Sequence, residues 1–423
     1  MKKRHSVFLI GLLSTLVLSG CNVLPPQESS KEESKAPSSE ATPTTSANST
    51  DTSVLINPSS PEPSSVPSSV PSPTSEPSGQ QVPATQPEND IHTELQYNYL
   101  KDTWDSIKTY IPAVNAEDNK KHDDLSAPTG LAMKFDDVAN AATYYVQYSK
   151  TQDFTNATVY TTTAKVFYNQ IAEINTKYYY KAAVSEDALA SAAVKTVTSA
   201  DIAPRNVKVA GVINFRDQGG WKSSLVPNGV IKQGLYYRCA KFDSITAAGK
   251  KTLKELGIKV DVDMRDSYSV PSTSKASSSD WPIEILKASV ASGTESTRWE
   301  GTGGIAATYK KIFEAIAVAD QKPIALHCTH GADRTGIMSF FLMGLLGASK
   351  DDIGRDYVLT RFAGERAVLP DNEIKNWFDK TDALQGASFT EKIYKHLRDD
   401  FEISTDTLET IREKFVEGYH RAA

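Results

Sequence analysis

The sequence predicts a multidomain chain in which an all-β module precedes an α/β domain with a central, mostly parallel sheet flanked by helices. Residues 125–202 alternate apolar and polar side chains with a period of two, the pattern of half-buried strands. From residue 203 to residue 423, short apolar segments alternate with longer segments of helical spacing. Residues 22–90 contain no Phe, Trp or Tyr and cannot build a core. We therefore place both folded domains after an extended N-terminal segment.

Length and charge limit the classes of function. The chain has 423 residues and a formal net charge of −6, with 39% hydrophobic and 23% charged residues. That length suits two or three domains. Outside the extreme N-terminus there is no basic stretch, which disfavours nucleic-acid binding because that function needs a cationic face. Local positive groups must therefore attract any anionic ligand.

The N-terminus has the features of a secretory signal. Residues 2–4 are basic, and residues 7–18 are mostly apolar but too short to span a hydrocarbon core of ~30 Å. Residues 18–21 read Leu-Ser-Gly-Cys, which resembles the lipobox of bacterial lipoproteins. The resemblance implies cleavage before Cys21, lipidation of its thiol, and anchoring to the bacterial cell membrane on the side facing away from the cytoplasm. A simple signal peptide with a chance cysteine is the alternative.

Two non-catalytic segments follow the signal. Residues 22–90 hold 13 of the 21 prolines and are predicted to be a disordered tether, extended at ~3.1 Å per residue. Residues 91–124 are predicted to be a short helical connector without chemistry. Residues 125–202 resemble a fibronectin type III sandwich, as in the alternating run from Tyr144 to Tyr148. Such a module implies spacing or binding rather than catalysis.

The remaining residues, 203–423, are predicted to form the α/β domain. We expect strands at residues 234–238, 258–264 and 323–326, and helices at residues 246–256, 305–319 and 334–346.

The segment from His327 to Gly336 reads His-Cys-Thr-His-Gly-Ala-Asp-Arg-Thr-Gly, between an apolar strand and an apolar helix. A loop that enters a helix N-terminus presents several backbone N–H groups and the positive end of the helix dipole, which suits a phosphate dianion. The residues expected to bind the phosphate are Thr329, His330, Gly331, Ala332, Asp333 and Arg334.

The same segment supplies groups for covalent chemistry. Cys328 lies in the positive field of the loop, which should lower the thiol pKa and produce a thiolate nucleophile. The planar guanidinium of Arg334 can bind two phosphate oxygens. Thr335 can donate a hydrogen bond to the sulfur, and His327 can orient the loop from behind.

This pattern resembles the Cys-x5-Arg signature of protein tyrosine and dual-specificity phosphatases. Further segments resemble those of the bacterial atypical tyrosine and lipid phosphatases, over about 200 residues. The resemblance implies a phosphomonoester hydrolase that forms a cysteinyl phosphate and needs no metal or other cofactor, with phosphotyrosine proteins as the first substrate class. The segments that carry the resemblance are residues 214–220, 237–238, 263–265 and 356–360.

One departure bears on the substrate. Many relatives carry Lys before the Asp of the loop, which is linked with phosphoinositide activity, whereas this chain has Ala332. The departure disfavours phosphoinositides and leaves inositol phosphates, such as phytate, as an alternative substrate class. A non-catalytic protein that binds phosphorylated ligands is the alternative from another functional class. Where Cys21 carries a lipid, we expect the membrane to be contacted through this anchor alone.

The general acid is left open between several carboxyl groups. There is no Trp-Pro-Asp acid loop, and residues 280–282 carry those residue types in a different order, Asp-Trp-Pro. We favour Asp263, which ends a predicted strand beside the loop, over Asp333 within the loop. Asp217 and Asp266 are the other candidates.

Four residues are expected to support the site: Arg216, Asp217, Arg238 and Arg265. The simplest role for Arg216 and Asp217 is an ion pair that braces the loop. Arg238 and Arg265, together with His330 and Lys241, are expected to form a positive rim around the substrate.

Cys239 allows three alternatives. It could form a structural disulfide with Cys328, or a reversible one that protects the nucleophile. It could also complete a zinc site with His327, Cys328 and His330, although Arg334 would be an unfavourable neighbour for a cation.

Overall fold

The computed structural model describes residues 79–102, 124–291, 294–364 and 373–421. The predicted signal segment, the predicted lipidation site Cys21 and most of the predicted tether lie outside these ranges, as do residues 103–123 of the connector. The described residues all belong to the unit Val70–Ala423. None of the helices within them is long and apolar enough to cross a membrane.

The residues after the connector form two antiparallel sheets. The strands are β1 (Leu131–Lys134), β2 (Tyr144–Ser149), β3 (Val159–Thr162), β4 (Val166–Asn169), β5 (Lys177–Ala183) and β6 (Lys195–Thr198). β1 pairs with β4, and the other sheet has the order β3-β2-β5-β6. Strands β2 and β5 coincide with the segments whose alternation predicted strands. Tyr178 and Tyr180 of β5 belong to the same buried cluster as Leu131 and Met133 of β1, and Val146 of β2 is buried as well.

The second domain contains a five-stranded sheet of order β12-β11-β13-β10-β7. The first four strands in this order are parallel, and β7 is antiparallel at one edge. Every residue of β10, β11 and β13 is buried, as expected for a parallel sheet covered on both faces. The strands are β7 (Arg216–Asp217), β8 (Lys222–Ser223), β9 (Gly229–Val230), β10 (Tyr236–Cys239), β11 (Val260–Asp263), β12 (Glu284–Lys287) and β13 (Ile324–His327); β8 and β9 form a separate hairpin.

Helices cover this sheet, and most begin at a hydroxyl side chain that caps a free backbone N–H. Two short 3₁₀ helices, Asp187–Ser191 and Leu359–Phe362, are also present. The α-helices are α1 (Glu94–Leu100), α2 (Ala247–Glu255), α3 (Glu295–Glu300), α4 (Ile305–Ile316), α5 (Asp333–Leu345), α6 (Lys350–Val358), α7 (Glu373–Asp382), α8 (Phe389–Asp399) and α9 (Thr405–Phe415).

The β-sandwich and the α/β domain share one continuous hydrophobic core. Leu131 and Tyr178 of the sandwich belong to the same buried cluster as Trp221 and Phe341 of the α/β domain. Ile174 packs so closely against Gly220 that a Cβ atom there would collide with the isoleucine side chain. The junction near residue 203 is therefore a packed interface and not a flexible linker.

A buried ion pair reinforces this interface. The Arg205 guanidinium is 3.1 Å from Asp217 Oδ2 and donates a 2.7 Å hydrogen bond to the Ile171 carbonyl in the sandwich. Burial raises the pKa of Asp217, against the opposing charge of Arg205 and the backbone N–H groups of Gly219 and Gly234. Asp217 thus pairs with Arg205 at the domain interface, whereas Arg216 pairs with Asp356, so the two residues do not form the expected ion pair with each other.

The Arg205→Ala substitution should lower the free energy of unfolding by about 3–5 kcal/mol, because it leaves the buried Asp217 without its cation. Urea denaturation followed by tryptophan fluorescence measures this change. The matched control is Lys222→Ala, which removes an exposed ion pair with Asp201 and should cost less than about 1 kcal/mol. Equal small losses in the two variants would contradict the structural role of Arg205.

Candidate active site

The predicted phosphate loop lies at the carboxyl end of the central strand of the sheet. β13 ends at His327, Cys328 follows, and α5 begins at Asp333. β13 lies between β10 and β11, so the loop is flanked on both sides by neighbouring strand ends. The Cys328 side chain is buried, whereas Thr329 and His330 are partly exposed.

Gly331 allows this loop to pack against β10. Its φ angle is +70°, which favours glycine. A Cβ atom would collide with the Cys239 carbonyl oxygen and crowd the Asn214 amide. Any other residue here would push the loop away from the strand.

Two buried side chains hold the back of the loop. Asn214 Nδ2 donates to the His330 carbonyl at 3.0 Å and to the Gly331 carbonyl at 3.1 Å. Arg238 NH2 also donates to the Gly331 carbonyl, at 2.8 Å. Because the C=O and N–H of a trans peptide point in opposite directions, these bonds turn the N–H groups of Gly331 and Ala332 toward the other side. That side is where an anion would bind.

The carboxylate of Asp356 on α6 holds the arginines. Arg238 NH1 donates to Asp356 Oδ2 at 2.6 Å, and Arg216 Nε donates to Oδ1 at 2.7 Å. Gln218 donates to the same Oδ1 at 3.0 Å. Burial opposes ionisation of Asp356, but the two guanidinium charges outweigh it and lower its pKa. Arg216 and Arg238 therefore brace the loop from behind.

The expected positive rim is largely absent, because two of its four members are buried. Arg238 is 0% exposed in the Asp356 cluster. Arg265 is bound to Asp263 and Asp243. Arg238 and Arg265 lie near strand ends, as the sequence predicted. Their guanidinium groups, however, bind carboxylates and do not face a ligand.

The connector and the first residues of the sandwich region also contact the site, although their sequences showed no chemistry. Asn214 N donates to Ser126 Oγ at 2.9 Å, which fixes the residue that holds the loop carbonyls. Tyr99 OH donates to the Arg355 carbonyl at 2.9 Å, one residue before Asp356. A short polar segment gives no sequence signal for such contacts, since their partners lie far along the chain.

The electrostatics around Cys328 favour the thiolate. Burial raises the thiol pKa, but the Thr335 hydroxyl, the Arg334 charge and the Thr335 backbone N–H together outweigh it. The net result is a pKa below the ordinary value of a thiol. The Thr335 hydroxyl lies near the sulfur without the geometry of a full hydrogen bond, and among the described residues it has no other partner.

Arg334 is fixed in orientation by backbone carbonyls. Its NH1 donates to Met264 O at 3.2 Å and to Val290 O at 3.1 Å. Asp266 Oδ2 lies 3.6 Å from the same nitrogen. The guanidinium is thus tied along one edge, which pre-organises it for an anion at the loop.

His327 is held in the doubly protonated form beneath the loop. Its Nδ1 is 3.0 Å from the Cys328 carbonyl, and its Nε2 is 2.9 Å from Asp261 Oδ1. Burial lowers the imidazole pKa, but the charge of Asp261, with help from Asp263, raises it to about 9. Asp261 was not anticipated from the sequence, although a carboxylate within a fully buried strand is itself a signal of a buried partner.

The geometry disfavours Asp263 as the general acid. Arg265 donates to Asp263 Oδ1 through Nε at 3.0 Å and to Oδ2 through NH2 at 2.7 Å. Its backbone N–H adds another bond to Oδ1, and Asp263 is 0% exposed. A carboxylate held by a guanidinium and closed off from solvent is poorly suited to deliver a proton to a substrate.

Asp333 is better placed for that role. It is the first residue of α5 and is partly exposed. Its charge opposes the lowering of the Cys328 pKa, which places it near the sulfur. Burial is the main cause of the raised pKa values of Tyr357 and Glu373, and the nearby charge of Asp333 raises both values further.

Cys239 is a free, buried thiol, and so is Cys328. A structural disulfide between them is therefore contradicted. Burial raises the Cys239 pKa well above its ordinary value, which makes this thiol inert. Within the described ranges, no group of three or more His, Cys, Asp or Glu side chains is arranged to hold a metal ion.

Comparison with known families assigns this domain. Residues 207–423, just over half of the chain, match the model described as the tyrosine phosphatase family. The chain belongs to this family. The matched region contains the catalytic loop, the Asp356 cluster and all five strands of the main sheet, whereas Ser126 and Tyr99 lie before it.

Two curated relatives carry corresponding names. A tyrosine-protein phosphatase from Nostoc commune is 24% identical over 145 residues, covering 31% of this chain and 49% of the relative. A candidate tyrosine-protein phosphatase from Cupriavidus necator is 26% identical over 165 residues, covering 35% of this chain and 60% of the relative. The chain thus spans about half the length of the curated relatives it matches.

Solved structures of TpbA from P. aeruginosa share weaker similarity. The crystal structure is 16% identical and covers 40% of this chain and 94% of TpbA, with a TM-score of 0.26. A cysteine-to-serine variant of TpbA in complex with phosphotyrosine is 15% identical and covers 37% and 91%, with a TM-score of 0.23.

The His327–Asp261 pair should make stability depend on pH. The folded-state pKa of His327, about 9, exceeds the ordinary value of 6.5. The stabilisation of the fold by this pair is therefore complete below pH 6.5 and is lost as pH rises through 9. The expected loss is on the order of 3 kcal/mol. Chemical denaturation across this window should show a steeper decline for the wild type than for His327→Gln. The exposed His420→Gln variant should keep the wild-type slope, and a shared slope in all three proteins would contradict the assignment.

Proposed function

We propose that this protein is a cysteine-dependent phosphomonoester hydrolase, acting chiefly as a protein tyrosine phosphatase outside the cytoplasm. The observation that carries the proposal is the lowered pKa of Cys328 at the N-terminus of α5, beside the oriented guanidinium of Arg334. Membership of the tyrosine phosphatase family and the names of the two curated relatives support the same reaction.

In the first proposed step, Cys328 Sγ attacks phosphorus. The P–S bond forms while the bond from phosphorus to the leaving oxygen breaks. Asp333 gives its proton to that oxygen, so the alcohol or phenol departs neutral. Arg334 and the loop N–H groups stabilise the charge on the transferring phosphoryl group.

In the second proposed step, water hydrolyses the cysteinyl phosphate. The water oxygen attacks phosphorus and loses a proton to the Asp333 carboxylate. The P–S bond breaks, and its electron pair returns to Sγ as the thiolate. The Thr335 hydroxyl, which lies near the sulfur, stabilises this leaving thiolate. Inorganic phosphate is released, and Asp333 is protonated again for the next cycle.

The arrangement of charges bears on the substrate. Burial of Arg238 and Arg265 leaves His330 and Lys241 as the remaining members of the predicted rim. A highly charged inositol polyphosphate would need a more cationic mouth than this. Ala332, which stands where many relatives carry Lys, likewise argues against phosphoinositides as substrates. We therefore rank aryl phosphates and phosphotyrosine proteins above inositol phosphates, and a purely binding role below both.

Two further parts of the proposal concern location and architecture. The order β3-β2-β5-β6 in one sheet, with β1-β4 in the other, supports a fibronectin type III assignment for the sandwich. The basic and apolar N-terminal residues and Cys21 support a lipoprotein signal, followed by a Pro-rich tether. The enzyme would then contact a membrane through its lipid anchor alone and act on phosphate esters outside the cytoplasm. Metabolic labelling with a fatty acid, compared between wild type and Cys21→Ser, tests the anchor.

The acid assignment predicts different responses to the leaving group. Asp333→Asn should lower kcat for phenyl phosphate by about 100-fold or more, but far less for an activated nitrophenyl ester, because protonation matters most for a basic leaving oxygen. Asp263→Asn should lower stability and should affect both esters equally, since it breaks the pair with Arg265. Steady-state kinetics with the two esters measure both effects. A selective loss in Asp263→Asn or Asp266→Asn would transfer the acid role to that residue.

The nucleophile assignment predicts that Cys328→Ser loses at least 99% of turnover while it still binds vanadate or a phosphotyrosine peptide, because the phosphate site is formed by the loop and Arg334. Rapid quenching and mass spectrometry of the wild type should detect phosphate on Cys328. Cys239→Ala is the matched control and should retain both turnover and the adduct. Turnover above a few per cent in Cys328→Ser, or inhibition by chelators that zinc reverses, would contradict the mechanism.

A further inference from the structure

The loop after β11 carries an aromatic side chain that faces solvent beside the catalytic arginine. Tyr268 is 87% exposed, the largest exposed fraction among the exposed large hydrophobic residues of the described chain. The neighbouring residues Ser267 and Ser269 are exposed as well. Ser269 N donates to the Asp266 carbonyl at 2.7 Å, so the segment is a tight turn with Tyr268 near its tip.

This turn is connected to the phosphate site through one atom. Tyr268 OH donates to Asp266 Oδ2 at 3.4 Å, and the same oxygen lies 3.6 Å from Arg334 NH1. The tyrosine hydroxyl and the phosphate-binding guanidinium therefore converge on a single carboxylate oxygen. This convergence places the phenol ring at the mouth of the site.

We propose that Tyr268 is a specificity-determining residue that selects phosphate esters of aromatic alcohols, by packing its ring against the ring of the substrate. This inference rests on the proposed phosphatase function and names the substrate group that the site prefers. Asp266 acts as the residue that positions Tyr268 when the site is empty.

The direction of the substrate supports this placement. In a displacement at phosphorus, the leaving oxygen lies opposite the attacking Cys328 sulfur. The organic group therefore extends away from the buried loop, toward the solvent-exposed side where Tyr268 lies. A phosphotyrosine side chain would bring an aromatic ring to this side, whereas phosphoserine would bring only a methylene group.

Phosphate binding should also release the turn. Arg334 is held by the carbonyls of Met264 and Val290 and cannot follow a carboxylate that moves. A phosphate dianion next to this guanidinium repels the Asp266 carboxylate, which has the same sign of charge. Displacement of Asp266 frees the Tyr268 hydroxyl and lets the exposed turn adjust its ring to the ligand.

The size of the expected effect follows from the strength of aromatic packing. Such pairs strengthen binding by about threefold to tenfold beyond the burial of their surface. The change should appear in KM, because the ring contacts the substrate in the ground state and in the transition state alike. It should depend on the ring and not on the hydroxyl.

The experiment compares Tyr268→Ala, Tyr268→Phe and wild type on a phosphotyrosine peptide. Tyr268→Ala should raise KM about threefold to tenfold with kcat changed less than twofold, and Tyr268→Phe should behave like the wild type. The matched control is Tyr168→Ala, an exposed tyrosine on strand β4 of the sandwich, which should leave KM unchanged. A kcat loss without a KM change, or equal defects in Tyr268→Ala and Tyr268→Phe, would overturn the proposal.

A binding measurement keeps this test separate from the catalytic proposal. Isothermal titration with phenylphosphonate and methylphosphonate needs no turnover. Tyr268→Ala should weaken phenylphosphonate binding about threefold to tenfold and leave methylphosphonate binding unchanged. Equal weakening of the two ligands, no weakening of either, or no binding of phenylphosphonate to the wild type would overturn the role of Tyr268. An inactive wild type that still shows the phenyl-specific effect would refute the proposed catalysis alone.

Discussion

The catalytic loop depends on the buried carboxylate of Asp356. Arg216 and Arg238 both donate to it, and Arg238 uses its other nitrogen to hold the Gly331 carbonyl. Two guanidinium groups this close repel each other, and burial together with that repulsion lowers the Arg216 pKa to about 10. The cluster is therefore stable only with its anion, and loss of one partner of a buried pair costs about 3–5 kcal/mol. The carbonyl groups of the loop are held from behind, so its backbone N–H groups already face the anion site. The loop therefore does not have to reorganise at the moment of reaction.

The same principle explains how an acidic protein can bind a phosphate dianion. Three carboxylates lie under or beside the loop, and each is neutralised locally: Asp356 by two arginines, Asp261 by His327 and Asp263 by Arg265. At Cys328, the Thr335 hydroxyl, the Arg334 charge and the Thr335 backbone N–H together outweigh the burial of the thiol and the opposing charge of Asp333. The net charge of −6 therefore says little about the field at the sulfur.

Residues outside the family domain contribute to this arrangement. Ser126 accepts a hydrogen bond from Asn214 N, and Leu125 N donates to the Phe362 carbonyl at 2.8 Å, near Thr360. The sandwich shares its core with the α/β domain, and Arg205 links it to β7 beside Arg216. The described part of the connector, the sandwich and the catalytic domain thus form one structural unit, in which the first two elements support the shape of the site. The role expected for the sandwich, spacing or binding, does not by itself account for these contacts.

The sequence by itself indicated the phosphatase family and the loop that carries Cys328 and Arg334, because these groups lie within ten consecutive residues whose strand–loop–helix pattern is set locally. It also predicted the mostly parallel sheet and the main strands. Only the tertiary structure shows that Asp263 is held by Arg265 and that Arg238 and Arg265 are buried. Such arrangements depend on contacts such as Arg216 with Asp356, 140 residues apart, and Arg238 with Asp356, 118 residues apart. The sequence can place an arginine at the end of a strand. The direction of its side chain depends on the buried carboxylate to which it binds.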